Sequence, residues 1–170
     1  MTQKETILIN SPIEKVWNFI EDPNNLQLWN PKVQRVTAFG NSGKSVGSNF
    51  GIMYMMNNIP SEMRGEIVVH EPNSRLTFRF LDGKMNHGTF VDESFFLTQT
   101  PNGVLLERTI DFTNAPVPWW ARIIMWIVFK TGKPVGDAYL VKLRDLIEEV
   151  LPPTSSDPKD ASYESLRRTR

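Results

Sequence analysis

Residues 134–151 carry the pattern that most limits how this chain folds. Val135, Tyr139, Leu143, Leu146, Ile147 and Val150 recur at three- and four-residue steps, while Asp137, Lys142, Arg144, Asp145, Glu148 and Glu149 fill the positions between. That is the periodicity of a long amphipathic helix with one apolar stripe, and the stripe has to be covered. Almost everything between residues 33 and 113 reads as strand. The economical cover is therefore a curved antiparallel sheet of about seven strands closing around the helix, with strand alternation aiming one face inward. The space left between sheet and helix is where function is expected.

A first strand is expected over residues 3–9, with Ile7 and Ile9 on one face. Ser11-Pro12-Ile13-Glu14 predicts a helix start, with a serine cap, proline at the first helical position and glutamate completing a capping box. Ile13, Val16, Trp17 and Ile20 follow at helical spacing. Asp22-Pro23 begins a second short helix through about Leu28, and Trp29-Asn30-Pro31 ends it, because proline holds the preceding residue extended. Strands are predicted over 33–39, 48–56, 59–71, 75–81, 85–100 and 104–113, with turns at Asn57-Asn58, Asp82-Gly83 and Asn102-Gly103. Residues 119–130 read as a helix that is apolar almost all round. Residues 1–151 are expected to form one domain, and the polar tail 152–170, behind Pro152-Pro153, to be disordered.

The turns fix a register. If Asp82-Gly83 and Asn102-Gly103 are two-residue loops, Phe80 opposes Met85, Phe78 opposes His87, Leu97 opposes Arg108 and Phe95 opposes Ile110. Both hairpins then agree on one inward face, apolar except for His87, Glu93 and Arg108. Burying an unpaired charge is costly, so Glu93 and Arg108 must meet, contact water in a cavity, or show the register to be wrong. This register leaves them too far apart to touch and favours a hydrated cavity. There Arg108 would hold a ligand carboxylate or carbonyl, with Glu93 or His87 as proton acceptor; a purely structural polar network is the competing reading.

The apolar lining is expected from Tyr54, Met63, Phe78, Phe80, Met85, Phe95 and Ile110, with Tyr139 from the long helix. The same residue types would also suit a filled core. Trp119 and Trp120 open the apolar segment 119–130, which reads as a lid over the cavity. Its alternative is a weak membrane or partner contact, since tryptophan favours boundaries between apolar and wet regions.

Composition removes several classes. Lysine plus arginine and aspartate plus glutamate each number 19, so no overall field draws nucleic acid. With no cysteine and two histidines, His70 and His87, there is no disulfide or thiolate nucleophile, and neither a metal nor another cofactor is expected. Gly43-Lys44-Ser45 looks like the end of a phosphate-binding loop, but Ala38 stands where its first glycine is required and no helix follows. The most apolar run falls far short of the roughly 20 residues of a membrane span, and no signal-peptide core precedes the first strand. A cytoplasmic location is expected; the oligomeric state is left open.

Several stretches resemble the START-like (SRPBCC) superfamily, which includes polyketide cyclases and dehydrases, lipid-transfer domains and the birch-pollen allergen group. They are Ile9-Asn10-Ser11-Pro12-Ile13-Glu14-Lys15-Val16-Trp17, the run from Asp22 to Trp29-Asn30-Pro31, Val69-His70-Glu71-Pro72 before Arg75-Leu76, Pro101-Asn102-Gly103-Val104, and Leu143-Arg144-Asp145-Leu146-Ile147-Glu148. The resemblance implies an α+β helix-grip fold of one strand, two short helices, six strands and a long C-terminal helix. It also implies a hydrophobic ligand, such as a lipid, isoprenoid or polyketide-like compound, beneath that helix. Some members catalyse, so a cyclase or dehydratase remains an alternative, as does a protein-interaction module using 119–130. Fold alone does not decide among them.

Overall fold

Seven antiparallel strands and a C-terminal helix make up the computed structural model, which describes residues 2–38, 44–56, 59–82, 89–115 and 137–149. Thr2–Ile9 (β1) leads into Ile13–Ile20 (α1), a 3-10 turn at Pro23–Asn25 and Leu26–Trp29 (α2). Val33–Ala38 (β2), Asn49–Met56 (β3), Ile59–Glu71 (β4), Arg75–Asp82 (β5), Val91–Thr100 (β6) and Gly103–Asp111 (β7) follow, and Asp137–Glu149 forms α3. The sheet order is β1-β7-β6-β5-β4-β3-β2. Six strands form a meander, and β1 completes it by pairing with β7. This is the helix-grip arrangement.

Two register shifts bend the sheet, one between Val33 and Arg35 in β2 and one between Ile67 and Val69 in β4. An extra residue in one strand increases the local twist and changes which side chains face in. Beyond the β4 shift, His70 lies opposite the fully buried Leu76 and sets its ring edge-on to Trp17 of α1, at 5.1 Å.

Inside the curve, Phe50, Phe78 and Phe95 pack edge to face, with Phe78 5.4 Å from Phe50 and 6.2 Å from Phe95. Such pairs add about 0.5–1.5 kcal/mol beyond the area they bury. Phe50 has room because Gly65 is its cross-strand partner. Leu140, Leu143 and Ile147 of α3 are each at most 1% exposed, and α3 seats against β1, α2 and α1. Each of those side chains contributes about 1.5–3 kcal/mol relative to an exposed position. A backbone tie fixes the seat: Asn10 N donates to Glu148 Oε1 at 2.8 Å.

Both predicted hairpin registers need correction. The β5–β6 ladder ends at Phe80 and Val91, so Asp82-Gly83 is not a two-residue turn between these strands. Phe80 faces Val91 instead of Met85, and Phe78 faces Glu93 instead of His87. In the next hairpin the loop is Pro101-Asn102, because Gly103 already pairs with Thr100. Gly103 has φ 118° and lies so close to β1 that a Cβ there would sit 2.2 Å from the Ile9 carbonyl oxygen. Leu97 therefore faces Leu106, and Phe95 faces Arg108. Both displacements are even, and with a side-chain period of two the inward face survives.

The capping box is also corrected. Pro12, not Ser11, is the N-cap, and its carbonyl accepts from Lys15 and Val16. Ser11 is one residue upstream, with its Oγ buried and without a hydrogen-bond partner among the described residues. Asp22 does cap its turn, accepting from Asn24 N at 3.0 Å. The Asn57-Asn58 turn, Gly83, Met85, His87, the segment 119–130 and the tail 152–170 lie outside the described residues. Among those described, no helix is long and apolar enough to cross a membrane.

Candidate ligand-binding site

Alternation along three neighbouring strands brings three charged side chains to the inward face. On β1, Gln3, Glu5, Ile7 and Ile9 turn in; on β7, Val104, Leu106 and Arg108; on β6, Glu93, Phe95 and Leu97. Glu5 is the direct cross-strand partner of Arg108, and Glu93 is two pairs along the β6–β7 ladder, opposite Ile110. Arg108 Nε donates to Glu93 Oε1 at 2.5 Å and Nη1 donates to Glu5 Oε2 at 3.2 Å. Gln3 Nε2 donates to the other oxygen of Glu5. The Trp29 ring stands 5.3 Å from the guanidinium carbon.

Glu5, Glu93 and Arg108 are each 5% exposed, so the trio is an interior feature. Glu93 and Arg108 were expected to be too far apart to touch; the two-residue change in register puts them on a short diagonal instead. Burial by itself would lower the Arg108 pKa. Attraction to Glu93 and its hydrogen bond, then Glu5, outweigh burial and hold the pKa above its ordinary value. Tyr54 of β3 is pushed up to about 12, first by burial and then by the negative charge of Glu93.

A cavity of about 170 Å³ opens beside the trio on the concave side of the sheet. Of the anticipated residues, Tyr54, Met63, Phe80, Glu93, Arg108 and Ile110 line it. Sequence reading did not single out Leu26, Val33, Ile52, Val91 and Phe112, which also line it. Ile52 and Val91 were detectable by two-residue alternation from Tyr54 and Glu93. Glu5 was detectable in the same way from Ile7 and Ile9, but nothing local in the sequence identifies its partner.

Phe78 and Phe95 belong to the packed core, at 0% and 1% exposure, and not to the cavity wall. Tyr139 is half-buried against that core and near enough to Tyr54 to bear on its titration. None of the described α3 side chains lines the cavity, which instead runs from α2 across β2 to β7. Arginine and glutamate have thus been placed where one wall of an otherwise apolar cavity is polar. That arrangement can hold an apolar body and hydrogen-bond one end of it.

The model of the family described as "Polyketide cyclase / dehydrase and lipid transport" matches residues 2–141. The chain belongs to that family. No curated protein sequence matches it. Among solved structures, the protein TTHA0849 from Thermus thermophilus superposes with a TM-score of 0.68 at 13% identity, covering 89% of this chain and 100% of that one. A START superfamily protein from Mycobacterium smegmatis gives 0.63 at 13%, covering 88% and 99%. The di-domain ARO/CYC StfQ from the steffimycin biosynthetic pathway gives 0.65 at 13%, covering 88% of this chain and 51% of that chain. At such identities these likenesses establish the START-like fold and leave the chemistry to the site itself.

Proposed function

We propose that this family member binds a hydrophobic small molecule, of lipid, isoprenoid or polyketide-like character, on the concave face of the sheet. The observation that carries the reading is the 170 Å³ cavity whose lining, among the described residues, is apolar apart from Tyr54 and the Glu93–Arg108 pair. A filled core has no such space, because interiors pack to near-crystalline density. The test is a saturation titration with the uncharged fluorophore N-phenyl-1-naphthylamine, beside native mass spectrometry and organic extraction of freshly purified protein. Saturable binding that is lost in Ile52→Trp, a substitution that fills the cavity without touching the charges, is the expected result. Equal binding by both proteins would overturn the reading.

Turnover of the bound molecule is a second reading, favoured by the position of Glu93. Its carboxylate lines the cavity wall with Tyr54, which keeps its proton well above neutral pH. An acceptor and a donor therefore share one surface, with Arg108 placed to orient a carbonyl, as a cyclase or dehydratase requires. Glu93→Gln preserves shape and removes the proton acceptor. Loss of turnover with retained fluorophore binding supports this chemistry; an unchanged rate removes Glu93 from it.

A further inference from the structure

We infer, resting on the binding reading above, that the cavity accepts uncharged apolar ligands bearing a carbonyl or hydroxyl oxygen and rejects carboxylates. Glu5 and Glu93 both bind Arg108, so the buried trio holds two carboxylates against one guanidinium. Nε and Nη1 are already committed to those carboxylates, and Trp29 stands over the guanidinium. Gln3 adds only a neutral donor, to Glu5. Among the described residues, a ligand carboxylate brought to Arg108 would be the third anion around one cation, in surroundings that screen poorly. Like charges so placed repel and weaken binding.

An uncharged oxygen meets no such repulsion. A carbonyl accepts from Arg108 or the Tyr54 hydroxyl, and a hydroxyl also donates to Glu93, all on the same wall. Leu26, Ile52, Phe80 and Ile110 are left to hold the hydrocarbon. The available 170 Å³ suits at least one ring, since an apolar cavity of roughly 150 Å³ admits benzene. Of the two ligand groups that the sequence offers Arg108, a carboxylate or a carbonyl, this keeps the carbonyl and excludes the carboxylate.

Acetophenone and benzoate share a ring and a shape and differ in charge, as do 2-acetylnaphthalene and 2-naphthoate. Ligand-observed NMR titration of the wild-type protein at neutral pH is expected to show each ketone binding at least about tenfold more tightly than its carboxylate. Glu5→Gln, which removes one negative charge and keeps the side-chain shape, is expected to narrow that ratio. A carboxylate that binds as tightly as its ketone overturns the charge rule and leaves the binding reading standing. Failure of all four probes, together with no fluorophore binding, overturns the binding reading and the charge rule with it. Should Glu5→Gln not fold, the wild-type ratio still decides.

Discussion

Glu5 and Arg108 face each other directly across the β1–β7 pair although 103 residues separate them in the sequence. That pairing carries the first strand to the far edge of the meander and supplies the second carboxylate of the trio. Completing the seven-stranded sheet and building the polar wall therefore depend on the same strand pairing. A buried ion network is poor evidence of stability in itself, because desolvation offsets attraction. Its partners are nonetheless strongly interdependent, and the first prediction rests on that dependence.

Arg108→Met should destabilise the fold by about 3–5 kcal/mol, since it leaves two carboxylates buried with no cation. Replacing Glu5, Glu93 and Arg108 together by Leu, Leu and Met should recover most of that loss. Asp92→Asn breaks the doubly hydrogen-bonded Arg79–Asp92 pair on the outer face and should cost less than about 1 kcal/mol. Urea unfolding of the four proteins checks the order. An Arg108→Met protein as stable as wild type would mean the carboxylates are not buried together.

Tyr54 makes the fold sensitive to alkali. Its pKa is raised to about 12 from an ordinary 10.0, so the folded chain holds this proton more tightly than the unfolded chain. The associated stability is fully present below pH 10.0 and is lost as pH rises towards about 12. Tyr54→Phe should flatten the stability profile across that window. Absorbance titration at the tyrosinate band should lose its latest-titrating component in the same variant. A Tyr54→Phe profile that falls as steeply as wild type would assign the alkaline loss to another group.

Much of the fold was legible from the chain, and the reason is parity. Both hairpins slipped by even steps, so Phe80 acquired Val91 and Phe95 acquired Arg108 without either partner changing face. Period-two alternation reports faces; only pairing reports contacts. The Glu93–Arg108 contact was missed because it depends on whether the loop is Asn102-Gly103 or Pro101-Asn102, and Gly103 serves the strand through its close approach to Ile9. Glu5 was missed because the β1–β7 register has no local signature. The same limit explains why Phe78 and Phe95 were placed in the cavity: core and cavity wall draw on the same residue types.

Gly65 is set by the ring above it. A Cβ at this position would lie 2.3 Å from Phe50 Cζ, on a strand that cannot move without disturbing both neighbours. Gly65→Ala should destabilise by about 1–3 kcal/mol, the usual range for overpacking. Phe50→Leu should also destabilise, through lost contact with Phe78 and Phe80. Combined, the two substitutions should cost less than their sum, because the smaller side chain makes room for the methyl. Thermal denaturation of the double-mutant cycle measures the coupling, and strict additivity would show that the two residues do not meet.

Ser11 yields a prediction opposite to the one its sequence context suggests. A serine before Pro-Ile-Glu reads as a helix cap, and removing such a cap costs about 0.5–2 kcal/mol. Here Pro12 supplies the carbonyl that starts α1, while the Ser11 hydroxyl is buried without a partner among the described residues. An unpaired buried hydroxyl opposes folding, so exchanging it for a methyl hydrogen removes a penalty and no bond. Ser11→Ala should therefore leave stability unchanged or raise it by up to about 1 kcal/mol, within the lower range for burying an unpaired polar group. Chemical unfolding of this one variant separates the two accounts: a loss near 1 kcal/mol would restore Ser11 as the cap and place the start of α1 one residue earlier.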